Sequence, residues 1–387
     1  MKSIGITLVL CLVCASVVAA AEESPQGQAT EKKAKKLNPR LLAMADNTWM
    51  KMSPARNPKS RTYSGACFGA GRLYYFGGGH FSYTYNDVEL YDPVTNIWTQ
   101  VTKPERPAGT YKDWVRTASE QASPSGAPYL GGHTYQYTSW DPIRKRFFLP
   151  YRQCGVWEFD PAAAKWENIL SVFRNAKPKT PHNLGPGTMA NIHSAFDLNL
   201  VKPVLVVTSG AAGLYVFDYK NRAWQKHKPL PGLLTGTELY STYVDEWKGH
   251  LFASNRWRQP NTDFLKVDLA AGTAEAIERP ARVGKCHALA YDSANKMVIV
   301  MPIVELPEKG STVSIWALDV KTMKWTEMKP TGPVPKGAHI GKWAPLWYDP
   351  EHNVHLFLKF VSRGPAYQGG DIETWAYRYK STEKKGG

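Results

Sequence analysis

One pattern recurs along the chain and limits what it can fold into. An apolar residue and an aspartate open a turn, and a tryptophan follows seven residues after the apolar one: Tyr91-Asp92-Pro93 to Trp98, Phe159-Asp160-Pro161 to Trp166, Phe217-Asp218 to Trp224 and Leu318-Asp319 to Trp325. Val267-Asp268 is a degenerate copy, with Ala274 where the tryptophan would stand. An Asp side chain can accept hydrogen bonds from the backbone just downstream and so hold a tight turn. The tryptophan beyond it is expected to pack flat between neighbouring sheets, burying a large area. A second Asp turn comes earlier in the units, at Trp140-Asp141, Phe196-Asp197, Val244-Asp245, Tyr291-Asp292 and Tyr348-Asp349. Runs rich in β-branched and aromatic residues follow, such as Arg146-Phe147-Phe148-Leu149 and Met297-Val298-Ile299-Val300, and such runs favour strands. Each unit reads as four short strands, a to d from the inside out, with no helical period.

Units of about 50 residues built this way stack into a ring. Four-strand units fall at 62–101, 133–169, 191–227, 238–278 and 286–328. A last unit has three strands, at 341–348, 353–359 and 372–378. Asn47-Thr48-Trp49-Met50-Lys51-Met52 carries the tryptophan-bearing d pattern. This N-terminal strand is expected to complete the last blade, which closes the ring and removes two exposed sheet edges. The fold predicted is an all-β, six-bladed propeller over residues 46–380. A seventh blade would need a unit hidden in 102–132, which is rich in Pro, Gly and Ser and lacks paired strands.

The ends read differently. Lys2, the apolar stretch Ile4 to Val18 and the small residues Val18-Ala19-Ala20-Ala21 have the form of a secretory signal over residues 1–21, too short an apolar run for a membrane span. Residues 22–45 read as a flexible linker and 381–387 as a disordered tail. Beyond the signal stand Cys67, Cys154 and Cys286, so at most one disulfide forms and the core must carry the stability. The expected location is secreted or periplasmic. The formal net charge of +15 lies mostly in the repeat-bearing part. On an exported protein it favours an anionic partner, here expected to be an acidic polysaccharide and not a nucleic acid, with no transmembrane segment.

The run Leu73-Tyr74-Tyr75-Phe76-Gly77-Gly78, then Asn86-Asp87-Val88, then Tyr91-Asp92 to Trp98 resembles a Kelch repeat. The other units lack the double glycine and share only its strand and tryptophan spacing. The resemblance implies a Kelch-type propeller of the superfamily that includes galactose oxidase.

In such a ring the d-to-a and b-to-c loops share one face, where function concentrates. The long loops are 102–132, 170–190, 78–86 and 255–262. His133, His193, Tyr240, His287 and Trp343 stand at or near the starts of a strands, His80 follows Gly77-Gly78-Gly79, and Arg152 sits in a short b-to-c loop. These groups are expected to converge over the channel mouth. Tyr83, Tyr85, Arg256 and Arg258 are expected to bind substrate beside His287 and Trp343. β-Elimination from a uronate needs its carboxylate neutralised, a base for the α-proton and an acid for the leaving oxygen. Arg152 or Arg256 suits the first task, His193 or Tyr240 the second, and His80 or His133 the third. In residue types this resembles the His/Tyr/Arg centres of propeller polysaccharide lyases such as ulvan lyases. Two or three of the histidines could also hold a divalent metal ion. The alternatives are a propeller that binds glycan or protein without catalysis, a copper-radical oxidase and a sialic-acid mutarotase. The oxidases carry an adjacent Tyr-His ligand pair, absent here, and the mutarotase Glu/Arg site has no clear counterpart.

Overall fold

The computed structural model describes residues 37–78, 83–106, 122–128, 134, 137–151, 155–170, 192–208, 212–256, 262–284, 286–302, 314–336, 346–362, 364–365 and 367–382. A short helix, α1 (Pro39–Leu42), leads into β1 (Thr48–Lys51). Blade 1 contains β2 (Ser64–Gly69), β3 (Arg72–Gly77), β4 (Glu89–Asp92) and β5 (Ile97–Gln100). Blade 2 contains β6 (Ser139–Asp141), β7 (Arg146–Tyr151), β8 (Gly155–Asp160) and β9 (Lys165–Leu170). Blade 3 contains β10 (Ile192–Asp197), β11 (Lys202–Val207), β12 (Gly213–Asp218) and β13 (Ala223–Lys228). Blade 4 contains β14 (Thr237–Val244), β15 (Gly249–Arg256), β16 (Thr262–Asp268) and β17 (Thr273–Ile277). Blade 5 contains β18 (Cys286–Asp292), β19 (Met297–Pro302), β20 (Ile315–Asp319) and β21 (Trp325–Met328). Blade 6 contains β22 (Leu346–Asp349), β23 (Val354–Phe360) and β24 (Ile372–Arg378), with β1 as its outer strand.

The result is six four-stranded antiparallel sheets. Their inner strands neighbour one another in the order β2, β6, β10, β14, β18, β22 and back to β2. The ring is therefore a closed six-bladed propeller, sealed where β1 pairs with β24, Trp49 opposite Tyr377.

The aspartates do the work that the sequence assigns them. Asp141 Oδ1 accepts from the N–H groups of Ile143 and Arg144 at 2.9 Å, and Asp197, Asp218, Asp292 and Asp319 cap the same two positions of their own turns. Four residues after the aspartate the chain turns left-handed, at Asn96, Lys145, Ala164, Val201, Arg222, Gly272, Lys296, Met323 and Asn353. That conformation disfavours side chains such as those of Val201 and Met323. The two N–H bonds hold the turn against that cost.

Each outer-strand tryptophan reaches back to the preceding blade. Trp166 meets Phe76 of blade 1 at 4.6 Å, Trp224 meets Phe148 of blade 2 at 6.1 Å and Trp325 meets Phe264 of blade 4 at 4.9 Å. Relative to these partner rings the tryptophans are tilted or edge-on, the arrangement that aromatic pairs prefer over a face-to-face sandwich. Trp98 also donates its Nε1 hydrogen to Thr374 Oγ1 of blade 6. The apolar clusters consequently lie between blades, around a central channel.

The chain joins the fold earlier than the expected linker boundary at residue 45. Leu41 is fully buried, and the Asn38 N–H donates to His352 Nε2 at 3.0 Å while His352 Nδ1 lies 2.6 Å from Asp349 Oδ2. Arg378 donates to the carbonyls of Leu41 and His352. At the other end Ser381 N–H bonds Asp46. Cys67 and Cys286 are free, buried thiols on blades 1 and 5, and Cys154 lies outside the described residues. Among the described residues no helix is long and apolar enough to cross a membrane.

Candidate functional site

Six inner strands, one from each blade, surround a channel on the axis. The cavity there has a volume of about 330 Å³, at the lower end of ligand pockets, which run to roughly 300–1,000 Å³. Hydroxyls line it from four blades: Ser64, Ser139, Ser194 and Ser241, with Thr138 and Thr242 beside them. Aromatic rings border it near the turn end of five inner strands: Phe68, Trp140, Phe196, Tyr243 and Trp347. His193, Tyr240 and His250 complete the polar wall. Among the described lining residues there is no Arg, Lys, Asp or Glu.

His193 is the second residue of β10, and its ring turns toward blade 4. It meets Phe252 edge-on at 5.1 Å, and its Nε2 lies 2.6 Å from Ser241 Oγ. Burial between the blades, with a smaller contribution from the nearby His250, lowers its pKa to about 3. A neutral imidazole follows, a weak base whose Nε2 is already engaged by the serine. His250, on β15, places its Nε2 3.2 Å from Asp197 Oδ2. Asp197 is held below the ordinary carboxylate range: burial raises it, but bonds from His250 and from the Leu200 and Asn199 N–H groups outweigh that. Tyr240 borders the cavity half-buried, packed against the apolar clusters on both its flanks.

The other candidates are distributed unevenly. Tyr83 is buried beneath the loop end of blade 1, where the Arg61 guanidinium lies 4.5 Å from its ring centre. Tyr85 is half-buried between Tyr83, at 4.9 Å, and Arg106, at 5.0 Å. Arg256 ends β15 opposite Thr237, so its backbone stands at the loop end of blade 4. The backbone of His287 sits at a register shift in β18 between Cys286 and Ala288. His80, His133, Arg152, Arg258 and Trp343 lie outside the described residues. Among the described residues no group of three or more His, Cys, Asp or Glu is placed to hold a metal ion.

Sequence reasoning missed His250 and the hydroxyl lining. His250 sits at the start of a second strand, just past the β14–β15 turn and at the opposite end of the blade from the loops to which the sequence points. The serines carried a signal in principle, since β2, β6, β10 and β14 each contain at least one.

Comparison with known proteins adds the following. The Kelch motif family matches residues 60–105, the whole of blade 1, so a Kelch motif stands within the six-bladed propeller. No curated protein matches the sequence. Among solved structures, an oligogalacturonate lyase from Vibrio parahaemolyticus is 10% identical, with 87% of this chain and 95% of that one covered and a TM-score of 0.44. A protein of unknown function from Bacteroides thetaiotaomicron is 13% identical, covering 87% and 73%, with a TM-score of 0.49. An oligogalacturonate lyase in complex with manganese is 10% identical, covering 87% and 98%, with a TM-score of 0.44.

Proposed function

We propose that the protein is an exported, carbohydrate-active propeller that cleaves an acidic polysaccharide by β-elimination at the loop end of its channel. The observation that carries this reading is that His193 and Tyr240, proton-transfer candidates from different blades, border one cavity. Tyr240 is the better base of the two. A general base works best with a pKa near the operating pH, and burial holds His193 far below it. In the reaction the base takes the proton α to the carboxylate, the C4–O bond breaks as the C4–C5 double bond forms, and the leaving oxygen is protonated. His80 or His133 would donate that proton, and Arg152 or Arg256 would neutralise the carboxylate. The basic net charge of the chain supports an anionic polymer as substrate.

A second reading, glycan binding without cleavage, is favoured by one feature: the described cavity wall carries no Arg or Lys to neutralise a carboxylate. One assay separates the two. The mature protein is mixed with a panel of uronate-containing and sulfated polysaccharides, with and without divalent metal, and the ultraviolet absorbance of the unsaturated product is followed. Cleavage gives a rise that Tyr240→Phe lowers by about 10²-fold or more, the scale of a lost general base. A flat trace with salt-sensitive retention of one polymer gives the binding reading instead.

A further inference from the structure

We infer that the channel itself is a subsite for an uncharged sugar ring, while the charged part of the glycan stays at the loop end. The inference builds on the glycan reading but not on cleavage.

Two features of the wall point to this ligand. The first is the absence of lysine, arginine and carboxylate side chains. A carboxylate or sulfate drawn into the channel would lose its hydration, and the described wall offers no lysine or arginine to replace it, while the imidazole of His250 is turned to Asp197. His193 is neutral there, so it does not serve as a cation.

The second is the pairing of hydroxyls with aromatic rings. Ser139 and Ser194 hydroxyls lie 3.0 Å apart across blades 2 and 3, and Ser241 reaches His193 across blades 3 and 4. Below them stand half-buried Trp140 and Trp347. One face of Trp140 is stacked on Tyr74 at 5.3 Å, which fixes the ring while it still borders the cavity. A sugar ring presents apolar C–H faces and a rim of hydroxyls, and it matches such a wall on both counts. Rings that are both apolar and rigid suit this kind of contact.

The test uses small probes on the mature protein. Methyl glycosides of neutral hexoses and 6-deoxyhexoses are compared with methyl glycosides of the matching uronic acids, by saturation-transfer NMR and by tryptophan fluorescence. At least one neutral glycoside should bind, and its uronic counterpart should bind at least about tenfold more weakly, a difference of one decade in Kd. Ala66→Phe, which fills the channel, should abolish the signal. Ser194→Ala, which removes a hydroxyl with almost no change in volume, should weaken binding several-fold and decides the matter if Ala66→Phe does not fold. The inference is overturned if no neutral glycoside binds at about 10 mM, if the uronosides bind equally well, or if both variants bind like the parent. A flat ultraviolet trace with neutral glycosides bound removes cleavage and keeps the subsite. Unsaturated product with no neutral glycoside bound does the reverse.

Discussion

Arg61 and Asp87 form an ion pair with no solvent exposure on either side chain, 2.8 Å from Nη2 to Oδ2. Burial alone would strip the guanidinium of its proton more easily, but Asp87 and the Tyr83 and Tyr75 rings outweigh it and raise the Arg61 pKa. Gln100 donates to the same Asp87 oxygen, and Arg61 N–H donates to Tyr75 OH. Removing one partner leaves the other charge buried and alone. Asp87→Ala is therefore expected to lower stability by about 3–5 kcal/mol, whereas Arg61→Met combined with Asp87→Leu should recover most of it. Urea denaturation of the three proteins checks this, and equal losses in the single and double variants would refute it. Half of the pair was legible beforehand. Asp87 stands in the Asn86-Asp87-Val88 step of the Kelch-like run, but nothing marks an arginine 26 residues upstream as its partner. The same holds for Tyr83: the sequence shows a tyrosine in a polar loop, but not the Arg61 guanidinium against its ring.

At the scale of strands, the ring depends on what joins its ends. Trp49 on β1 is buried against Tyr377 at 5.0 Å and Phe357 at 5.7 Å, and it reaches the core of blade 5 through Ile299 and Ala317. It thus does in the closing strand what Trp166 and Trp325 do in theirs. Trp49→Ala is expected to cost about 3–5 kcal/mol, the range for a large buried aromatic. Because blade 6 cannot stay paired without β1, the loss should appear as one earlier transition, seen alike by circular dichroism and fluorescence. A separate early step confined to one probe would show that the closure is local. Blade number and closure were legible because their signals are short-range: an aspartate, a turn and a tryptophan within eight residues. The clamp of His352 on Asn38 was not, since it joins residues 314 apart. Nor was the heading of His193. Its ring turns sideways to Ser241 and Phe252 of blade 4, a contact between residues far apart in sequence that a place at a strand start does not announce.

Across the whole molecule, the buried titratable rings make stability depend on pH in a way that can be signed. His193 and His355 are both enclosed between sheets. Burial lowers their pKa values to about 3 and about 4 from an ordinary 6.5, only partly offset at His355 by the charge of Asp292. Below about pH 6.5 the unfolded chain takes up protons on both rings and the folded chain does not, so each ring costs about 1.4 kcal/mol per pH unit of acidification. Glu89 acts in the opposite direction. Burial lifts its carboxyl from 4.5 to about 7 despite Arg61 and Arg56, so the folded chain holds a proton there that the unfolded chain has released. Between about pH 4.5 and 6.5 two rings oppose one carboxyl, and the net fall is about 1.4 kcal/mol per unit toward acid. The aspartates held low, such as Asp197 and Asp319, add their own losses only as the pH falls below the usual carboxylate range. Urea titrations at half-unit steps should show that slope in the parent, roughly none in His193→Gln or His355→Phe, about twice the slope in Glu89→Gln, and a reversed sign when both histidines are replaced. A parent slope unchanged by either histidine variant would mean that the rings are not what acid attacks, and that the blade interfaces they occupy open to water before they are protonated.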